Sequence, residues 1–207
     1  MKRILLLAAT AALMLTGCSS ETSNTTAAAG VSFDEVLSTR RSIRSYDASK
    51  TISESEVREI LLATQNAPSW ANDQPSKYYV AMSPEKIAAI QDLIGEGNKK
   101  NVQGAPVLIV STYEKSKSGF FSGNAINEVG DGWGAYDNGL SNAYFILKAR
   151  AMGFDTLIMG MRDSDGLRSL FGIPSDEAIM AVISLGYRAG EPRMPVHRDL
   201  DEIVKFY

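Results

Sequence analysis

Arg40, Arg41, Ser42, Ile43 and Arg44 put three guanidinium groups and a hydroxyl within five positions. If the stretch is extended, its side chains alternate, and Arg40, Ser42 and Arg44 share one face. Forked planar donors beside a hydroxyl suit a phosphate and the polar edge of a planar ligand. The pentapeptide alone also fits a solvated basic run on the rim of a helix. Other chemistries are excluded by residue supply. His197 is the single histidine, so His-rich metal sites and an HExxH helix are out. There is no GxSxG elbow, no CxxC pair, no phosphate-binding GxGxxG after a strand and no Walker loop. Carboxylates are scattered without an evident acid/base pair, and Asp163 and Asp165 read as helix-start charges. The sequence thus carries no evident catalytic side-chain set, and an enzyme lacking one normally borrows its chemistry from a cofactor.

The elements that must position those arginines are legible. Ser32 and Glu35 form a capping-box pattern opening a short helix to Thr39, and Ser53 with Glu56 opens a second, with Val57, Ile60, Leu61 and Thr64 at helical spacing and a stop before Pro68. Residues 67–76 read as a loop and 78–82 as a strand. Ser83 caps a helix with Pro84 at its first position and a stripe of Ile87, Ile90 and Ile94. Residues 97–104 are predicted to be a polar loop and 107–112 a central apolar strand. Residues 119–134 hold five glycines and read as a lid or insertion. A long helix follows over 136–152, stopped by Gly153, then a strand over 154–159, a helix over 164–171 closed by Gly172, a strand over 178–185, and a short helix or tail over 199–206. Few strands separated by helices predict an α+β domain, one central sheet covered by helices.

The N-terminus carries a different message. Lys2 and Arg3 precede an apolar run over residues 4–15, too short to span a bilayer as a helix, which ends in Leu15-Thr16-Gly17-Cys18. This is the pattern of a bacterial lipoprotein signal, with Cys18 as the lipidated residue. Cys18 is the only cysteine, so no intrachain disulfide is possible. The chain divides into a signal peptide over 1–17, a small and polar tether over 18–30, and one domain over 31–207, long enough for its own core. Removing residues 1–17 takes two basic residues and no acidic ones, so the net charge of −3 becomes −5, a poor basis for nucleic-acid binding. The expected location is extracytoplasmic, lipid-anchored to a bacterial membrane.

Six segments in order resemble the nitroreductase superfamily of FMN-dependent oxidoreductases: 40–46 (RRSIRSY), 67–75 (APSWANDQP), 104–110 (GAPVLIV), 137–153, 157–160 (LIMG) and 197–203 (HRDLDEI). The resemblance covers residues 31–207. It implies a nitroreductase-like α+β fold whose central, mostly antiparallel β-sheet is flanked by helices, in an obligate homodimer with two FMN sites at the interface. Arg40, Arg41, Ser42 and Arg44 would hold the flavin from one subunit, and Pro68, Ser69, Trp70 and Asn72 would reach in from the other. Arg198 would contact the phosphate, Met159 would offer a backbone N–H near flavin N5 with Gly160 permitting close approach, and Asn98 with Lys100 lies near the pyrimidine edge. The implied activity is ping-pong reduction of nitroaromatics, quinones or similar planar acceptors by a small-molecule electron donor. A lipoprotein that binds a flavin or another planar ligand without turnover is the alternative. Two positions depart from the family pattern: Ser76 where many members have Trp, and Asp199 where many have Pro. Lys2-Arg3 is not a twin-arginine signal, so the chain would cross the membrane unfolded and acquire FMN outside, where NAD(P)H is scarce. A membrane quinol or a partner flavoprotein is then the expected donor.

Overall fold

The structure is a computed structural model and describes residues 31–207; the signal peptide, Cys18 and the tether lie outside the described residues. Four strands make the central sheet: β1 (Ser76–Ala81), β2 (Val107–Glu114), β5 (Asp155–Met159) and β6 (Glu177–Gly186), in the order β1-β2-β6-β5. Every ladder in it is antiparallel, with Tyr79 opposite Val110, Val110 opposite Val182, and Val182 opposite Met159. The two interior strands are nearly continuous apolar runs because both their faces are covered.

Alternation divides the core into two halves. Val107, Ile109, Ile183 and Leu185 point to the side covered by α2 (Glu54–Thr64) and the long α5 (Gly132–Ala151), where they meet Val57, Ile60, Phe145 and Ala149. Leu108, Val110, Val182, Leu157 and Met159 point to the opposite side, where they meet Ile90 of α3 (Pro84–Gln91) and Leu167 of α6 (Ser164–Phe171). Local signals place the helices as the sequence predicts. Ser53 and Glu56 complete a capping box, Ser32 caps α1 (Phe33–Thr39), Ser83 caps α3, and Asp163 caps α6 by accepting from two backbone amides.

Four expectations are corrected. The predicted polar loop over 97–104 is mostly a helix, α4 (Gly95–Asn101), and Ile94 caps it instead of ending the stripe of α3. It has no apolar period, but buried Ile94 and Val102 anchor its ends, and Glu96 in its first turn with Lys99 and Lys100 in its last suits the helix dipole. α5 starts four residues earlier than expected, drawing Gly132 and Gly134 into the helix; an added Cβ at Gly134 would stand 2.5 Å from Tyr113, so only glycine lets the two elements touch. The lid is correspondingly shorter, a hairpin of β3 (Phe120–Phe121) and β4 (Asn124–Ala125). The C-terminal helix shrinks to a single turn, α7 (Leu200–Ile203).

Candidate active site at the β5 edge

The arginine stretch is extended and lies along the free edge of β5. Arg40 leaves α1 with φ −62 and ψ 130. Ser42 bridges Thr156 in parallel, and the Ile43 amide donates to the Thr156 carbonyl at 3.0 Å. Ile43 and Tyr46 are buried, and Tyr46 anchors the far end through its hydroxyl, 2.7 Å from Ser184 Oγ. The opposite face is solvent-facing, with Ser42 and Arg44 exposed and Arg40 half-buried. Arg40, Arg41 and Arg44 form no ion pair among the described residues. Arg44 Nη1 lies 3.2 Å from the Ser42 carbonyl. Arg41 turns instead toward the C-terminal tail, donating to the Arg40 carbonyl at 2.7 Å and touching Met194 Sδ.

Two further expected residues reach this edge. Asn98 on α4 donates to the Met161 carbonyl at 3.3 Å, which places that helix beside the end of β5. Met159 closes the β5–β6 ladder opposite Val182, with its side chain in the core. Because the Thr156 carbonyl faces the arginine stretch, backbone alternation turns Thr156 and Ile158 to the free edge and Leu157 and Met159 to β6. Of the Met159-Gly160 pair, Gly160 therefore has the amide not committed to β6, and the space over its Cα is open. Arg162 Nη1 holds the Gly160 carbonyl at 2.5 Å. Its Nε is buried without a partner, and desolvation pulls the guanidinium pKa down. Arg198 is exposed on the tail, with no hydrogen bond or ion pair among the described residues, and Asp199 serves as the N-cap of α7.

Pro68, Ser69, Trp70 and Asn72 sit elsewhere. Their loop runs directly into β1, on the opposite sheet edge, three strand spacings or about 14 Å from β5. Its path is sharply bent, since Ala71, Asn72 and Gln74 all have positive φ. The loop is pinned by Ser69 Oγ accepting from the Gln74 amide and by Trp70 against Trp133, ring centroids 4.7 Å apart. Ser76, the departure noted above, belongs to a buried polar network beneath this loop: Asn138 Nδ2 donates to Ser76 Oγ at 3.2 Å and to the Thr112 carbonyl at 2.9 Å.

Sequence reasoning missed three supporting residues: Asp137, Asp155 and Arg162. Asp137 accepts the Trp70 amide. Asp155 meets Arg188. No local signal marks the first two: Asp137 stands among Asn138, Ser141 and Asn142 in α5 and Asp155 beside Thr156 at the start of β5, and only burial makes either a charge that needs a partner.

The chain's matches to known proteins follow the same outline. Residues 37–187 match the model of the nitroreductase family. The chain belongs to the nitroreductase family. Nitroreductase relatives include a Bacillus subtilis protein provisionally named NAD(P)H nitroreductase YdgI, 27% identical over 84% of this chain and 97% of that protein. Another is a Thermus thermophilus protein named NADH dehydrogenase, 28% identical over 80% of this chain and 91% of its own length. Among solved structures, an FMN complex of an Exiguobacterium sibiricum protein provisionally called a nitroreductase superposes with a TM-score of 0.75 at 24% identity, covering 85% of this chain and 97% of that one. A gut-bacterial enone reductase of fatty-acid saturation superposes at 0.76 and 19% identity, over 84% of this chain and 97% of that one. At these identities the two structures show the shared nitroreductase fold. Residues 1–19 match the prokaryotic membrane lipoprotein lipid attachment site.

The donors on the β5 edge fit FMN. Exposed guanidinium groups free of carboxylates, a hydroxyl on the same face, and an uncommitted amide past the strand end match a phosphate and the heteroatoms of a planar ring.

Proposed function

We propose that this nitroreductase is an FMN-dependent oxidoreductase that reduces planar acceptors such as nitroaromatics or quinones, with donor and acceptor occupying one cleft in turn. The observation that carries the reading is the unpaired face of Arg40, Ser42 and Arg44 along the open edge of β5, beside Asn98 and Gly160. Arg40, with Arg198 from the tail, would hold the phosphate, and Ser42 would add a hydroxyl to it. Arg44 and Asn98 would hold the pyrimidine edge, and the amide at Met159-Gly160 would serve the ring nitrogen opposite. Bound FMN supplies hydride or electron transfer through N5. A cation at Arg44 favours negative charge on the ring atoms it faces, and so favours electron uptake there.

The same reading includes a homodimer. The second donor set lies on the wrong sheet edge to complete the site within one chain, and Pro68, Ser69, Trp70 and Asn72 can complete a partner's site instead. The outer face of α5 supplies the contact. Tyr136, Leu140, Ala143, Tyr144 and Leu147 recur at helical spacing there with Gly139 between them, all exposed or half-buried in the single chain. The inner face of α5 is already buried against the domain, so a run of apolar residues left unburied on its outer face suits a second covering surface. The tail adds unburied Val196, Leu200, Ile203 and Phe206. The lipid attachment match supports anchoring through Cys18 on the extracytoplasmic side of a bacterial membrane.

The visible spectrum of the purified full chain in detergent is the first test. Bound flavin that is reduced anaerobically and re-oxidised by a nitroaromatic or quinone is the expected result. Flavin that binds but is never turned over would mean a binding lipoprotein, and a colourless protein that takes up no added FMN would overturn the reading. Reduction by NADH, NADPH and a quinol, compared side by side, identifies the donor; a quinol is expected outside the cytoplasm, and fast reduction by a nicotinamide would remove that expectation.

A further inference from the structure

Asp155 heads β5 and is 3% exposed. Arg188 meets it fork to fork, Nε to Oδ2 at 2.7 Å and Nη2 to Oδ1 at 2.6 Å, and Arg150 Nη1 stands 3.6 Å from Oδ1. Both arginines also reach back to one residue: Arg188 Nη2 donates to the Thr39 carbonyl at 3.3 Å and Arg150 Nε to Thr39 Oγ1 at 3.0 Å. Thr39 is the last residue of α1, and its carbonyl belongs to the peptide that joins it to Arg40. That carbonyl is one of the acceptors a helix end leaves open, and here a half-buried guanidinium takes it. The next residue of β5, Thr156, holds Ile43 through the backbone. Two consecutive residues of β5 thus grip the arginine stretch at two points, Asp155 indirectly at Thr39 and Thr156 directly at Ile43.

A buried ion pair is a weak source of net stability, because desolvating the charges offsets their attraction. Apolar residues serve nearby buried positions, Phe154 just before Asp155 and Leu157 two residues after it. What a bidentate pair adds is direction: fixed donor and acceptor vectors that hold one peptide plane. We propose that Asp155 and Arg188, seconded by Arg150, are positioning residues that set the orientation in which Arg40 and Ser42 present their donors to a phosphate monoester. This rests on the FMN reading above, and it concerns the phosphate end of the ligand only. At the ring end, Asn98 is carried by α4, and Arg44 follows Ile43, the point that Thr156 holds and Asp155 does not reach.

The test separates phosphate from ring. Affinities for FMN and riboflavin, which differ by that phosphate, are measured on the full chain in detergent after flavin removal, for wild type, Asp155→Asn and Arg188→Lys. Lysine keeps the charge but loses the fork and the reach to Thr39. The expected result is wild-type preference for FMN, and in both variants a fall in FMN affinity of about tenfold or more with riboflavin affinity within about twofold of wild type. If Asp155→Asn does not fold, Arg188→Lys decides alone. Loss of both affinities in parallel, or of neither, overturns the proposal, since a merely structural cluster would act on both ligands alike. A wild type that binds neither flavin overturns the cofactor reading itself, and the positioning role with it.

Discussion

The Trp70 amide donates to Asp137 Oδ2 at 2.9 Å, so a carboxylate buried in α5 holds the loop that leaves the C-terminal end of α2. The bond opposes strain. Ala71, Asn72 and Gln74 sit at φ 44, 61 and 49, a region that costs an L-residue roughly 1–2 kcal/mol. Asp137→Ala is expected to lower stability by about 2 kcal/mol, the size of a lost charge-assisted hydrogen bond, and Asp137→Asn by less because it keeps an acceptor. The chain's two tryptophans are Trp70 and Trp133, packed against each other with their rings tilted by 58°, so tryptophan emission reports this loop directly. A urea midpoint and an emission spectrum both unchanged in Asp137→Ala would sink the account.

On the FMN reading Arg40 and Arg44 face different ends of the ligand, and so carry different expectations. Arg40→Ala should weaken FMN by about tenfold or more and leave riboflavin nearly untouched, whereas Arg44→Ala should weaken both. Arg44→Ala should also lower the reduction potential of the bound flavin, since it removes a cation from the ring. Titration by fluorescence quenching, with potentiometry on the Arg44 variant, checks this. Indifference of every binding assay to both substitutions would mean that the arginine face is only a solvated rim.

The parts of this molecule that could be read from sequence are those whose causes are local. Ser53 and Glu56, Ser83 and Pro84, and Gly153 and Gly172 mark helix ends through backbone bonding within a few residues, and the apolar runs of β2 and β6 announce buried strands. The alternation that predicts a shared face for Arg40, Ser42 and Arg44 needs only an extended chain, but the extension itself, which the sequence leaves open, depends on the distant bridge of Ser42 to Thr156 and the burial of Ile43. What escaped depends on partners distant in sequence. α4 has no periodic signal because Ile94 and Val102 alone anchor it. Asp155 looks like an ordinary polar strand residue until Arg188 and Arg150 close on it. Asp137 has no visible purpose until Trp70 arrives from 67 positions upstream. The separation of the two donor sets to opposite edges of the sheet follows from strand order, which no local pattern encodes.

The outer face of α5 yields a prediction in which the single chain and the dimer give opposite answers. An added Cβ at Gly139 meets nothing within 4 Å in the chain itself, so on a solvent-facing helix Gly139→Ala should add up to about 1 kcal/mol through helix propensity. Against a partner helix the same methyl group, and more strongly Ala143→Glu, would intrude on a close contact. On the proposed shared site, Ala143→Glu should convert a dimer to a monomer in sedimentation in detergent and lose flavin at the same time, because the partner's loop would no longer complete the site. A wild-type monomer, or an Ala143→Glu dimer with full flavin occupancy, would contradict the shared site.

Alkaline pH should unfold the domain through its buried tyrosines. Burial raises the Tyr46 phenol well above its ordinary range, against a lowering contribution from Ser184, and burial likewise pushes Tyr78 up to about 12, against one from Ser141. The folded state keeps these protons while the unfolded chain releases them near pH 10, so above that point the unfolded state binds fewer protons and stability falls as pH rises. The stabilising contribution is complete below pH 10 and for Tyr78 is spent by about pH 12, a slope of about 1.4 kcal/mol per pH unit for each tyrosine. Tyr78→Phe removes one such proton and should flatten the loss between pH 10 and 12 by about that slope. Tyr46→Phe should flatten it too, but at a cost at neutral pH of roughly 1–3 kcal/mol, because it strands the fully buried Ser184 hydroxyl. Urea denaturation at pH 8, 10 and 11 measures both effects, and identical slopes for wild type and the two phenylalanine variants would place the alkaline transition elsewhere.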